Sequence, residues 1–214
     1  MKKVIIVSLN AIVLLAFISI AFSQEGKPVR LPTPDTTGGK PLMQALKDRK
    51  TSREYSNKPL SLQMLSDLLW AAFGVNRPDS GGRTAPSAMN CQEIEIYVAM
   101  DSGLYLYDSA KNTLEQISAE DIRSVTGKQP FVKDAAINLI FVADLSRAGR
   151  FGKKTEFYTA CDAGYVSQNV YLYCASAGLA TVARGMFDEK ELSAAMKLTA
   201  NKKIILTQTV GHPK

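Results

Sequence analysis

The stretch Glu93-Ile94-Glu95-Ile96-Tyr97-Val98 alternates polar and apolar residues, and Asp101-Ser102-Gly103 and Leu104-Tyr105-Leu106-Tyr107 follow closely. Strict alternation gathers apolar side chains on one face of a strand, so residues 93–98 are expected to form a half-buried strand. The Asp-Ser-Gly step is a turn, and the second alternating run returns as an antiparallel partner. Residues 136–142 add an apolar run, the pattern of a buried strand, and short strands are expected at 179–184 and 203–210.

Around these strands the apolar period changes to that of helices. Leu42, Ala45 and Leu46 share a face behind Pro41, a residue suited to a first turn. Ser61 can cap a helix in which Leu62, Leu65, Leu69 and Ala72 line one face, with Met64, Leu68 and Ala71 beside it, until Gly74 ends it. Residues 153–178 form the longest helical candidate, with Ala163, Val166, Val170, Cys174 and Ala177 on one face and many small residues that permit close packing. Asp188 caps a last helix, expected over 188–198. Helices and strands intermixed, with an adjacent antiparallel pair, indicate a layered α/β or α+β domain.

The chain has 214 residues, 46% of them hydrophobic and 21% charged, which excludes a disordered chain and a polytopic membrane protein. Its formal net charge of +6 is mild and does not by itself indicate nucleic acid. Three cysteines (Cys91, Cys161 and Cys174) are too few for a disulfide scaffold. The single histidine, His212, argues against a histidine-rich metal site or a His-based triad.

Residues 1–23 have the layout of a secretory signal peptide: Lys2 and Lys3, an apolar run, then Ala21-Phe22-Ser23 as a small-x-small ending. An uncleaved anchor is the alternative, since the run is close to the ~20 residues that span a bilayer. Either way the remaining chain is expected outside the cytoplasm, periplasmic or secreted. Residues 24–40, with Pro28, Pro32, Pro34 and Gly38-Gly39, form an extended lead-in, and 41–214 form one domain.

Three places carry chemistry. In an extended Arg49-Lys50-Thr51-Ser52-Arg53, positions 49, 51 and 53 point the same way, so two guanidinium forks and a hydroxyl converge on what could be a phosphate monoester. The alternative is a solvated charge run before a turn. In Pro86-Ser87-Ala88-Met89-Asn90-Cys91-Gln92, Asn90 offers a donor and an acceptor that could meet a ring edge, and Ser87 can do likewise. The alternative is that Asn and Ser simply make the turn. At Val182-Ala183-Arg184-Gly185-Met186 a strand ends at a glycine, which lets a ligand approach the backbone.

The order of Arg49-Lys50-Thr51-Ser52-Arg53, Pro59-Leu60-Ser61, Leu68-Leu69-Trp70-Ala71-Ala72-Phe73-Gly74 and Arg83-Thr84-Ala85-Pro86-Ser87-Ala88 resembles the nitroreductase family of FMN flavoproteins. It is most similar to the branch with the azoline-oxidising dehydrogenases of peptide natural-product clusters. Asp162-Ala163-Gly164, Gln168-Asn169, Gly178-Leu179-Ala180 and Val210-Gly211-His212-Pro213 extend the likeness to the C-terminus. The resemblance implies an α+β fold, a mixed α/β three-layer domain with a mainly antiparallel sheet flanked by helices, and an intertwined homodimer with FMN at each subunit interface. It implies that Arg49, Thr51 and Arg53 hold the FMN phosphate, with Lys50 and Ser52 lining it. Ser87 and Asn90 would meet the flavin ring, from the partner subunit in one arrangement. Arg184 and Gly185 would present backbone near flavin N5. A C-terminal basic residue often joins the phosphate in the family; here that role falls to Lys214 or to none.

The implied reaction has two halves at one site. A reduced donor, NADH or NADPH in most of the family, passes a hydride to the flavin, and a small organic acceptor then takes electrons from it. Nicotinamide donors are not expected outside the cytoplasm. An exported enzyme would therefore use another reductant or act as an azoline-type dehydrogenase on an exported substrate. Two further readings stay open: a flavin-binding protein without turnover, and an anion- or nucleic-acid-binding module built on Arg49, Lys50, Arg53, Lys153 and Lys154. The last lacks interleaved stacking aromatics, so no nucleic-acid partner is expected, nor stable membrane contact once the leader is removed.

Overall fold

The computed structural model describes residues 28–214; the leader expected at 1–23 and the start of the lead-in lie outside the described residues. In chain order the elements are β1 (Val29–Arg30), α1 (Leu42–Asp48), α2 (Leu62–Phe73), β2 (Val75–Arg77), β3 (Gly82–Arg83), β4 (Ile94–Met100), β5 (Gly103–Asp108) and β6 (Thr113–Ser118). They continue with β7 (Ile137–Asp144), α3 (Leu145–Ala148), α4 (Thr155–Ala177), β8 (Ala180–Arg184), α5 (Glu189–Ala195) and β9 (Lys202–Gly211). Seven strands form one sheet in the order β1-β6-β5-β4-β7-β9-β8, each antiparallel to its neighbours, and β2 and β3 form a separate small hairpin.

Alternation along the central strands sends side chains into two cores. Ile94, Ile96 and Val98 of β4 and Leu139 and Phe141 of β7 pack against Leu65, Leu68 and Leu69 of α2 and Val166 and Val170 of α4. On the other face Tyr97, Ala99, Ile140 and Val142 meet Leu192 and Met196 at the α5 end. The result is three layers, helix–sheet–helix. The alternation at 93–98 therefore does not mark a half-buried strand. Both faces of β4 are covered, and Tyr97, Val98 and Ala99 are all buried.

The local signals act as expected at α2. The Ser61 hydroxyl accepts from the Met64 amide, and the helix ends at Gly74. Helical faces fade at their ends, since Leu62 and Ala177 are exposed. The last helix stops at Ala195, three residues short of its expected end. Lys197 adopts a left-handed φ of 54°, and the Leu198 amide reaches back to Ser193 O, a Schellman closure without glycine. Strands β1, β2, β3 and β6 go beyond the strands the alternation predicts, and they form by pairing: β1 with β6, β6 with β5, and β2 with β3. Among the described residues no helix is long and apolar enough to cross a membrane.

Gly103 opens the β4–β5 hairpin partner with φ +133°, and a Cβ there would run into the Ser118 carbonyl oxygen on the next strand. Gly103→Ala should therefore destabilise the chain by about 2–3 kcal/mol, read as a drop in the urea midpoint at unchanged slope.

Candidate functional site

The basic stretch leaves α1 at Asp48 and runs extended past the open edge of β8. The Ser52 amide donates to Thr181 O at 3.0 Å, and the Tyr55 hydroxyl donates to Ser52 O at 2.8 Å. Tyr55 in turn bridges Pro213, and the Ser56 amide donates to His212 O, which carries the C-terminal Lys214 alongside this stretch. The extended form separates neighbours. Thr51 reaches the Tyr171 hydroxyl on α4 at 3.2 Å, and the Arg49 guanidinium lies 5.4 Å from the Tyr171 ring centre. Lys50 and Ser52 line a cleft of about 550 Å³ with Lys40, Lys47 and Thr181. Arg53 is exposed. Asp48 lines the same cleft but pairs with Lys40 at 2.7 Å, and among the described residues no carboxylate forms an ion pair with Arg49, Lys50 or Arg53. The donors of this stretch are thus available to an external anion.

At the end of β8, alternate backbone groups face the open edge. Thr181 O accepts from Ser52, and the Ala183 amide donates to the Tyr171 hydroxyl at 2.9 Å. Gly185 is next in that period and is exposed, with open space where a Cβ would sit. The Arg184 side chain turns inward. It is buried and donates to Thr209 Oγ1, Thr126 O and Asn138 Oδ1 at 2.8–3.0 Å. No carboxylate among the described residues pairs with it, and burial lowers its pKa to about 10. Gly127 makes room, because a Cβ there would collide with Arg184 Nη1. What this position offers outward is backbone.

The 87–92 loop is strained and heavily tied. Met89, Asn90 and Gln92 hold φ values of 53°, 51° and 49°, each costing on the order of 1 kcal/mol for a residue with a Cβ. Gln92 offsets this as a hub. Its amide donates to Ser87 Oγ (2.9 Å), and its carbonyl accepts from Arg147 Nη1 (2.8 Å). Its side chain accepts from Arg83 Nε (2.9 Å) and donates to Gly81 O and Asn90 Oδ1. The Ser87 hydroxyl, used as an acceptor, keeps its proton to donate outward. Met89 and Asn90 are exposed. Nothing in the sequence marks Gln92 as a hub; only its neighbours in space do.

The Ala88 amide donates to Asp162 Oδ2 on α4 at 2.8 Å, anchoring the loop to that helix. Behind it lies Glu93, fully buried, with neither carboxyl oxygen hydrogen-bonded among the described residues. Burial first, and then the neighbouring Asp162 carboxylate, push its pKa up to about 7. Asp162 and Tyr171 are nine residues apart, about 14 Å and two and a half turns along α4. The loop bearing Ser87 and Asn90 and the stretch bearing Arg49 and Thr51 are therefore anchored half a turn apart, flanking the buried stripe of one helix.

The model of the nitroreductase family matches residues 46–212. A crystal structure from Ralstonia eutropha, provisionally named a nitroreductase, is 46% identical and covers 87% of this chain and 90% of its own, with a TM-score of 0.84. A Methanocaldococcus jannaschii protein, also provisionally named a nitroreductase, is 34% identical over 184 residues, 81% of this chain and 92% of its own. A chain of the E. coli McbBCD microcin synthetase complex shares the fold at a TM-score of 0.68 and 16% identity, over 86% of this chain and 78% of that one.

The buried Glu93 gives a pH signature. Unfolded, its carboxyl titrates near 4.5; folded, near 7. Between these values the folded chain holds a proton that the unfolded chain has lost. The contribution is therefore complete below pH 4.5 and is lost as pH rises through 7, with a slope of up to about 1.4 kcal/mol per pH unit. Urea unfolding of wild type and Glu93→Gln across pH 5–8 should show this slope in the first and not in the second.

Proposed function

This chain belongs to the nitroreductase family, and we propose that it is an FMN-dependent oxidoreductase whose flavin site is closed by a second copy of the same chain. The observation that carries this reading is the placement of the two half-sites on opposite flanks of α4. One chain offers anion donors on one flank and a ring-facing loop on the other, so two chains in antiparallel contact can complete two sites. The surface supports a second copy. Leu42, Met43 and Leu46 on α1 and Phe157 and Tyr165 on α4 are large, apolar and 44–75% exposed.

The residues fit the phosphate of FMN. Arg49, Thr51 and Arg53 present charged and hydroxyl donors that no carboxylate among the described residues takes up, Lys50 and Ser52 stand beside them, and Pro213, next to Lys214, bridges Tyr55. Ser87 and Asn90 would face the ring from the second copy. Arg184 and Gly185 offer backbone at the strand end. When bound, FMN supplies two-electron transfer at N5, between a reduced donor of NAD(P)H type and a small organic acceptor. The chain's own part is to bind, orient and exclude water. The buried Cys174 thiol, whose pKa is pushed well above its ordinary value by burial, has no place in the chemistry. We also keep the reading of residues 1–23 as an export signal, supported by Lys2, Lys3 and the Ala21-Phe22-Ser23 ending; an exported chain would take its electrons from a reductant other than a nicotinamide, and NADH or NADPH would then be only a laboratory donor.

The first test is an absorption spectrum of the chain reconstituted with FMN and desalted. A retained flavin band that NADH or NADPH bleaches under nitrogen is expected; a colourless protein would overturn the reading. Arg53→Ala should raise the FMN dissociation constant about tenfold or more, and Lys154→Ala less than about twofold, by flavin fluorescence quenching. Sedimentation should show a dimer, and Phe157→Glu should lose the dimer and the flavin together. Full flavin retention by a monomeric variant would exclude a site shared between copies.

A further inference from the structure

We propose that Tyr171 is a positioning residue for the phosphate end of the site, relaying a backbone donor through its hydroxyl so that the Thr51 proton is aimed at the ligand. The inference rests on the FMN reading above and adds a residue to it. Three contacts of Tyr171 carry it: the Ala183 amide at 2.9 Å, Thr51 Oγ1 at 3.2 Å and the Arg49 guanidinium over its ring at 5.4 Å.

Valence fixes the direction of the first bond, and the proposed relay sets that of the second. The Ala183 N–H can only donate, so the phenol oxygen accepts there. The phenol has one proton of its own, and Thr51 Oγ1 is its only acceptor within reach among the described residues. In the relay the Tyr171 hydroxyl donates to Thr51 Oγ1, and Thr51 keeps its own proton to donate. The order is Ala183 N–H, Tyr171 O–H, Thr51 O–H, then the anion, each bond polarising the next. Without the phenol, the Thr51 hydroxyl could turn its proton inward, and a phosphate would meet a lone pair.

The same side chain ties two parts of the site that are far apart in sequence. Ala183 lies two residues before Gly185, and Thr51 lies between Arg49 and Arg53. Arg49 stacked on the ring is held close to Thr51 with no carboxylate taking up its charge. Tyr171 thus fixes how far the phosphate donors stand from the strand end that would face the ring.

The experiment measures dissociation constants of the full chain for FMN and for riboflavin, which lacks the phosphate. Tyr171→Phe keeps the ring and the Arg49 stack and removes only the hydroxyl, so the fold should stand. It should weaken FMN about tenfold and riboflavin less than about twofold. Thr51→Ser keeps the relay, so adding Tyr171→Phe to it should again cost about tenfold. Thr51→Val has already lost the donor, so adding Tyr171→Phe to it should cost almost nothing more. Equal weakening of FMN and riboflavin, or full additivity on the Thr51→Val background, would overturn the relay while leaving the flavin site in place. Failure of the wild-type chain to bind FMN would overturn the reading beneath it and the relay with it.

Discussion

Helix α4 is pressed against the sheet through Ala163, Val166, Val170 and Cys174, all without exposed surface. The small side chains among them let backbone approach backbone, and that closeness fixes the azimuth of the helix. A polar network locks it further. Ser167 Oγ lies 2.8 Å from Gln208 Oε1, and the Gln208 amide donates to Thr181 Oγ1. A buried network of this kind specifies one arrangement, because any rotation leaves polar atoms unpaired. With the azimuth fixed, Asp162 and Tyr171 emerge on opposite flanks. The strained loop and the anion-binding stretch take their places from those two residues.

Two buried groups lack counter-charges among the described residues, and both adjoin the candidate site. Arg184 sits among Thr126, Asn138 and Thr209 without an acid, and Glu93 sits beside Asp162 without a base. Isolated buried charges are costly. Each case is relieved differently: Arg184 by neutral acceptors matched to its fork, Glu93 by taking up a proton. The three left-handed residues at 89, 90 and 92 add backbone strain to the same region. Cost concentrated near one place is the pattern of a site held ready for a ligand rather than of a surface optimised for stability.

The candidate site is also electrostatically simple. Ion pairs elsewhere, such as Lys202 with Glu95 and Asp144, neutralise their cations within the chain. The cations at 49, 50 and 53 are left unneutralised among the described residues. An anion held there gains charge-assisted hydrogen bonds without first breaking an internal pair.

Much of the architecture could be read from residue order. The Ser61 cap and Gly74 stop bound α2 at its observed ends, and the Asp101-Ser102-Gly103 turn sets the β4–β5 register. These are local signals, in which period and capping act over a few residues. The resemblance to the nitroreductases supplied the sheet and helix layers, whereas the end of α1 at Asp48 and the seating of 49–53 beside β8 come from the tertiary contact of Ser52 with Thr181. Tertiary structure alone decided the rest. Alternation in β4 tells which side chains share a face but not that both faces are covered. β6, with polar Glu115 and Gln116, has no strong period and becomes a strand because β5 offers it a ladder. Gln92, Glu93, Asp162 and Tyr171 look ordinary in sequence. They matter because packing joins positions tens of residues apart and removes water from between them, and no local pattern encodes which distant atom will be the partner.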